Sequence, residues 1–215
     1  MTGRLIAWLG LVGALTAIAY GSRAASGKPE TDAVYEYDLA LAGIVQYGIM
    51  LGVVLLIAMG TEARALLALR RPASWWRAAG LSVVVLVGLY VLGGLLSPYL
   101  DPGGEQGLTP SGWDPDRAGA FAFNFAVIVL VAPFVEELTF RGLGYSLLEP
   151  FGRGLAIVAV GVAFGLVHGL VEALPILAAF GAGLAWIRAR TGSLYPAIAT
   201  HGVFNAIAIA IAVTT

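Results

Sequence analysis

The sequence has no cysteine, which excludes disulfide frameworks, cysteine–zinc sites and a thiolate nucleophile together. It is short of charge as well: 12% of residues are Asp, Glu, Lys or Arg, where a soluble domain carries about a quarter. Lys and Arg (12) nearly balance Asp and Glu (13), so no basic excess draws the chain to nucleic acid. Histidine occurs twice. In place of these residues the chain is apolar, 59% hydrophobic with a mean hydropathy of +0.88. That composition excludes a soluble globular domain and a disordered chain, and leaves a multispanning helical membrane protein.

A spanning helix needs about 20 mostly apolar residues. Runs of that kind fall at roughly 4–20, 39–60, 80–98, 120–148, 154–172, 174–190 and 194–213. The expected fold is therefore all-α, a polytopic bundle of about seven transmembrane helices. The breaks at 21–38 and 97–117 are rich in small, acidic, Gly and Pro residues and read as surface loops. The first run could also be a signal peptide, with Arg4 ahead of Leu5–Tyr20 and a cleavage site at Ser22–Ala24. Its length favours an uncleaved first helix.

Lys and Arg placement sets the orientation. With seven alternating helices, Arg4, Arg64, Arg70, Arg71, Arg77, Arg153, Arg188 and Arg190 share one side, and Arg23, Lys28 and Arg117 the other. The expectation is a multi-pass cell-membrane protein with its N-terminus cytoplasmic and its C-terminus outside. Trp75 and Trp76 beside the Arg64–Arg77 cluster suit a membrane-surface anchor. Asn124 and Gln46 read as interhelical hydrogen-bonders, and Glu172 as a solvated residue near the outer interface.

An ionisable side chain inside a spanning helix costs about 2.5–3.5 kcal/mol on insertion scales, so each is a functional hypothesis. The second half of the chain holds several: Glu136, Glu137 and Arg141 in the fourth run, His168 in the fifth, and His201 with Asn205 in the seventh. Glu136 precedes the turn at Gly152 by as many residues as His168 follows it, so the two reach equal depth on antiparallel helices. His201 is expected about a turn or more shallower, with Asn205 one turn deeper on the same face. Glu137 and Arg141, at i and i+4, can pair and offset each other's burial. Glu136 lies about 100° around the helix without that partner. A desolvated carboxylate beside an imidazole is a plausible general base. Pro133 can kink the helix just upstream.

Glu136–Glu137–x–x–x–Arg141, Phe164–x–x–x–His168 and His201–x–x–x–Asn205, in that order, resemble the three motifs of the CAAX-protease and bacteriocin-processing family. Its members are glutamate-dependent intramembrane endopeptidases, including type II CAAX prenyl endopeptidases and lysostaphin-resistance-like proteins. The resemblance covers about residues 120–213. It divides the chain into an N-terminal three-helix membrane region with outer loops (1–117) and a catalytic core of the last four helices (118–215). It implies that Glu136 with His168 activates a water, that His201 and Asn205 form an oxyanion hole, that Glu137 and Arg141 order the site, and that Phe164 supports His168 or lines the cavity. It implies a membrane-associated protein or peptide as substrate, the lipid bilayer as partner, and no metal. Peptide hydrolysis needs a base for water and donors aimed at the developing oxyanion, and these residues supply both.

Rival readings use the same residues. Glu136, His168 and His201 could ligate zinc in a metalloprotease, although no HExxH is present. Gly144–Tyr145–Ser146 could present a serine nucleophile to His201. Glutamate–histidine chains also relay protons in proton-coupled carriers. A non-catalytic membrane scaffold or immunity protein would need none of this chemistry.

Overall fold

The computed structural model describes residues 2–27, 32–60, 62–101, 105, 110 and 112–214. It is all-α, with no strand among the described residues. The principal helices are α1 (Thr2–Ser26), α2 (Tyr37–Ala58), α3 (Trp75–Leu96), α4 (Pro115–Phe151), α5 (Arg153–Leu166), α6 (Leu174–Thr191) and α7 (Tyr195–Ala212). The outward faces of the first three are lined with exposed Ile6, Leu9, Val45, Ile49, Val83 and Val87, as lipid contact requires.

Five of these helices, α1 to α4 and α7, are long and apolar enough to cross a membrane. The expectation of seven spans is revised at α5 and α6. With 14 residues, α5 reaches about 21 Å, short of the roughly 30 Å hydrocarbon core. Helix α6 carries Arg188 and Arg190 in its last turn. The pair packs backbone against backbone, because Gly161 and Gly165 of α5 face Ala178, Gly181 and Ala182 of α6. A Cβ at Gly161 would lie 2.7 Å from the Ala182 nitrogen. This is the small-residue spacing that lets membrane helices approach closely.

Helix α4 is a composite. Its α-helical turns are interrupted by two π-helical stretches, Val127–Val131 and Leu138–Gly144, which flank the short segment Ala132–Glu137. Such π-bulges recur at functional sites. Trp8 of α1 docks on the second stretch: its indole N–H donates to the Thr139 carbonyl at 2.9 Å, over the space left by Gly144.

The residues between α2 and α3 are tucked under the bundle rather than spread on a surface. Leu67 and Ala68 are buried, the Leu194 N–H donates to the Ala68 carbonyl, and the Ser193 hydroxyl donates to the Arg70 carbonyl. The α6–α7 turn therefore rests on this segment, and Ser193 and Leu194 at the start of α7 are buried. Trp75 and Trp76 are exposed, as a surface anchor demands.

Lys28 and Thr215 lie outside the described residues. Glu105 is buried, unlike a typical residue of a surface loop. Orientation is testable at exposed positions. Single cysteines at Tyr99 and Thr214 should react with an impermeant thiol reagent from outside intact cells, and one at Arg71 only after permeabilisation. The reverse pattern would invert the topology.

Candidate active site

The four residues expected to carry chemistry converge. Glu136, His168, His201 and Asn205 all line one cavity of about 310 Å³, together with Tyr47, Phe164 and Phe180. The depth mismatch expected for His201 does not keep it from the cavity that Glu136 and His168 line. His201 Nδ1 donates to Glu137 Oε1 at 2.9 Å, and its Nε2 lies 3.8 Å from Glu136 Oε2.

Glu137 and Arg141 pair as expected, Nη1 to Oε1 at 2.8 Å, and neither side chain has any exposure. The guanidinium also donates to the Gly181 carbonyl through Nε (3.3 Å) and Nη2 (3.0 Å), and stacks 4.3 Å over the Phe164 ring. A polar chain results, with one gap of 3.8 Å between His201 and Glu136. Arg141 holds Glu137, Glu137 holds His201, His201 faces Glu136, and Glu136 accepts from the Tyr47 hydroxyl at 2.8 Å.

Phe164 is the aromatic hub. Its ring sits 4.7 Å from the His168 ring and 5.6 Å, edge to face, from that of His201. Its carbonyl accepts from His168 Nδ1 at 2.6 Å. That bond fixes the neutral tautomer of His168, leaving Nε2 as the nitrogen with a free lone pair.

One expectation needs correcting. His168 does not sit within a spanning helix. Helix α5 ends at Leu166, and the chain turns through Val167–Gly169 with Gly169 at φ +65°. A Cβ at that glycine would strike the Ala19 backbone at 2.8 Å, so both its conformation and its space demand glycine.

Asn205 shares the cavity, but its Nδ2 donates to the Ile128 carbonyl at 2.8 Å. The cause lies in α4. In the first π stretch the Ala132 N–H bonds to the Val127 carbonyl. The next donor in that register is residue 133, a proline with no N–H, so the Ile128 carbonyl lacks a main-chain partner. Asn205 supplies the missing hydrogen, and Gly202 lets α7 approach the neighbouring Val129 carbonyl.

Ser146 does not join the site. Its hydroxyl donates to the Leu66 carbonyl at 2.7 Å, and it does not line the cavity. Among the described residues no three His, Asp or Glu side chains form a group able to hold a metal ion. Asn124 donates to the carbonyls of Val34 and Glu36 across to the start of α2, the interhelical role expected of it.

Two functional contacts were missed by sequence reasoning. Tyr47 is a polar-tipped aromatic in the middle of an apolar helix, and the need of a buried phenol for a partner was the signal. Glu105 is the other. Its carboxylate accepts from the consecutive backbone N–H groups of Val171, Glu172 and Ala173 at 2.8, 2.8 and 3.0 Å, at the entrance to α6. Arg23 of α1 lies 3.6 Å from it. This clamp fixes the segment that follows His168. No sequence motif announces it.

Residues 118–207 match the sequence model of the family described as type II CAAX prenyl endopeptidase Rce1-like. No curated protein and no solved structure matches the chain.

Two predictions follow from the charges. Burial opposes ionisation of Glu105, but its backbone hydrogen bonds and Arg23 outweigh that cost and hold its carboxyl below the usual range. The clamp is then complete above the ordinary glutamate value of about 4.3 and is lost as pH falls through the lower folded value. At neutral pH, Glu105→Gln should speed amide exchange at residues 171–173. Unchanged exchange would deny the clamp. Separately, Glu137→Ala strands Arg141 as an unpaired buried cation and should cost about 3–5 kcal/mol in detergent unfolding. Glu137→Ala combined with Arg141→Met should recover much of that loss.

Proposed function

We propose that the protein is an intramembrane endopeptidase that hydrolyses a peptide bond of a membrane-associated protein or peptide by direct attack of water. The observation that carries this reading is the convergence of Glu136, His168, His201 and Asn205 on one cavity, inside the segment that matches a peptidase family.

In this reading a water is held between Glu136 Oε2 and His168 Nε2. The carboxylate takes one proton as the oxygen attacks the carbonyl carbon. Negative charge builds on the carbonyl oxygen, which is met by the His201 ring, held through Nδ1 by Glu137. It is also met by the Asn205 N–H that the Ile128 carbonyl does not use. The tetrahedral intermediate then collapses, the C–N bond breaks, and the proton held by Glu136 passes to the departing amine. No metal takes part. Asn205, which shares the cavity, is an amide, a better hydrogen-bond donor than zinc ligand.

Substrate access is lateral. A groove of about 1090 Å³ opens between α1 and α2, walled by Leu11, Leu15 and Ile18 on one side and Leu41, Val45 and Ile49 on the other. His168 lines this groove and the cavity alike, so the two meet at a residue of the reaction. The apolar walls suit a substrate delivered from within the bilayer.

The test is N-terminal proteomics of membranes containing the wild-type protein or its variants. The wild type should generate new N-termini that vanish with Glu136→Gln and with His168→Ala, while both variants remain folded. His201→Ala or Asn205→Ala should lower kcat about 10²- to 10³-fold, more than they raise KM. Identical N-termini for wild type and Glu136→Gln would leave a carrier or scaffold in place of a peptidase.

A further inference from the structure

Every motif of the site lies in the second half of the chain, yet the direct hydrogen bond to Glu136 comes from α2. The Tyr47 hydroxyl donates to Glu136 Oε1 at 2.8 Å, and its ring lines the cavity. We infer that Tyr47 is the positioning residue of the catalytic carboxylate: by occupying Oε1 it turns Oε2 toward His201 and makes that oxygen the base. The inference rests on the reading of Glu136 as the group that deprotonates water.

Three observations support it. A glutamate side chain turns about three torsions, and its other close polar contact, Oε2 to His201 Nε2 at 3.8 Å, exceeds hydrogen-bond range. Glu137 and Arg141 are engaged with each other, with His201 and with the Gly181 carbonyl, so they do not anchor Glu136. The Tyr47 hydroxyl is therefore what fixes the carboxylate plane.

Helix α2 is also built to bring Tyr47 this close. Gly43, one turn earlier on the same face, lets α2 approach α4 until a Cβ there would meet the Val127 side chain at 3.2 Å. Finally, phenylalanine would fill the same space, so the hydroxyl serves the carboxylate rather than the packing.

A carboxylate oxygen that already accepts a hydrogen bond has one lone pair fewer to offer, so the proton from water goes to the other oxygen. The other groups facing Glu136 are His168, at the end of α5, and His201 of α7, with Glu137 and Arg141 behind His201. These stay unchanged when the Tyr47 hydroxyl is removed.

The experiment compares purified full-length protein in lipid nanodiscs as wild type, Tyr47→Phe and Glu136→Gln. With a peptide spanning a cleavage site found by proteomics, Tyr47→Phe should lower kcat about ten- to a hundredfold with KM little changed. An unchanged kcat, or a loss carried by KM instead, overturns the inference.

An infrared spectrum of the carboxylate stretching band that Glu136→Gln removes gives a readout without turnover. Tyr47→Phe should shift that band in frequency, as loss of the hydrogen bond to Oε1 requires, and an unmoved band overturns the inference. A wild type that cleaves nothing while the Glu136 band still responds to Tyr47→Phe would reject the hydrolytic reading and leave the Tyr47–Glu136 linkage standing.

Discussion

The structure depends on one ion pair that has no access to water. Arg141 and Glu137 sit one helical turn apart on α4, and each would be costly in the bilayer alone. Pairing solves the charge but not the geometry, because a guanidinium has five donors and one carboxylate oxygen does not use them all. The remaining donors reach the Gly181 carbonyl of α6, the flat face lies over Phe164 of α5, and Glu137 Oε1 also receives His201 of α7. A single buried pair thus ties together the last four helices. It does so through the same side chains that border the cavity, so folding and the arrangement of the site are one problem. Glu137 Oε2 has no hydrogen-bond partner among the described residues, which concentrates the whole arrangement on Oε1.

Backbone irregularity in α4 is the second element. A regular helix would satisfy every carbonyl along its length and offer nothing to neighbours. The π stretch before Pro133 and the missing proline N–H release the Ile128 carbonyl, and Asn205 of α7 answers it. Non-helical backbone is tolerated at membrane depth only where protein or a cavity covers it, and here both do. The local change of hydrogen-bond register thereby becomes a docking point for α7, one turn from His201.

Much of this was legible in the sequence, and for physical reasons. Charge inside apolar runs is costly enough to be informative, so Glu136, Glu137, Arg141, His168, His201 and Asn205 stood out before any geometry was known. Equal chain lengths from the turn at Gly152 placed Glu136 and His168 at similar depth, and i, i+4 spacing paired Glu137 with Arg141. What was not legible came from contacts between distant segments. Tyr47 meets Glu136 across 89 residues, and Glu105 caps α6 from a loop more than 60 residues away. The burial of the segment before α3, on which the α6–α7 turn rests, leaves no periodic trace. The early end of α5 was hidden because Val167, Leu170 and Val171 carry the apolar run past it, and the partner of Asn205 depended on a helical register that composition does not encode.

The account stands on Glu136 acting as a base toward water rather than as a nucleophile or a metal ligand. The most direct measurement is a single turnover of metal-stripped protein in ¹⁸O-labelled water, with mass analysis of both the product and Glu136. Direct attack predicts undiminished cleavage, one labelled oxygen at the new C-terminus and none in Glu136. Labelled oxygen in the Glu136 side chain, or cleavage that ceases on stripping and returns with zinc, would contradict it.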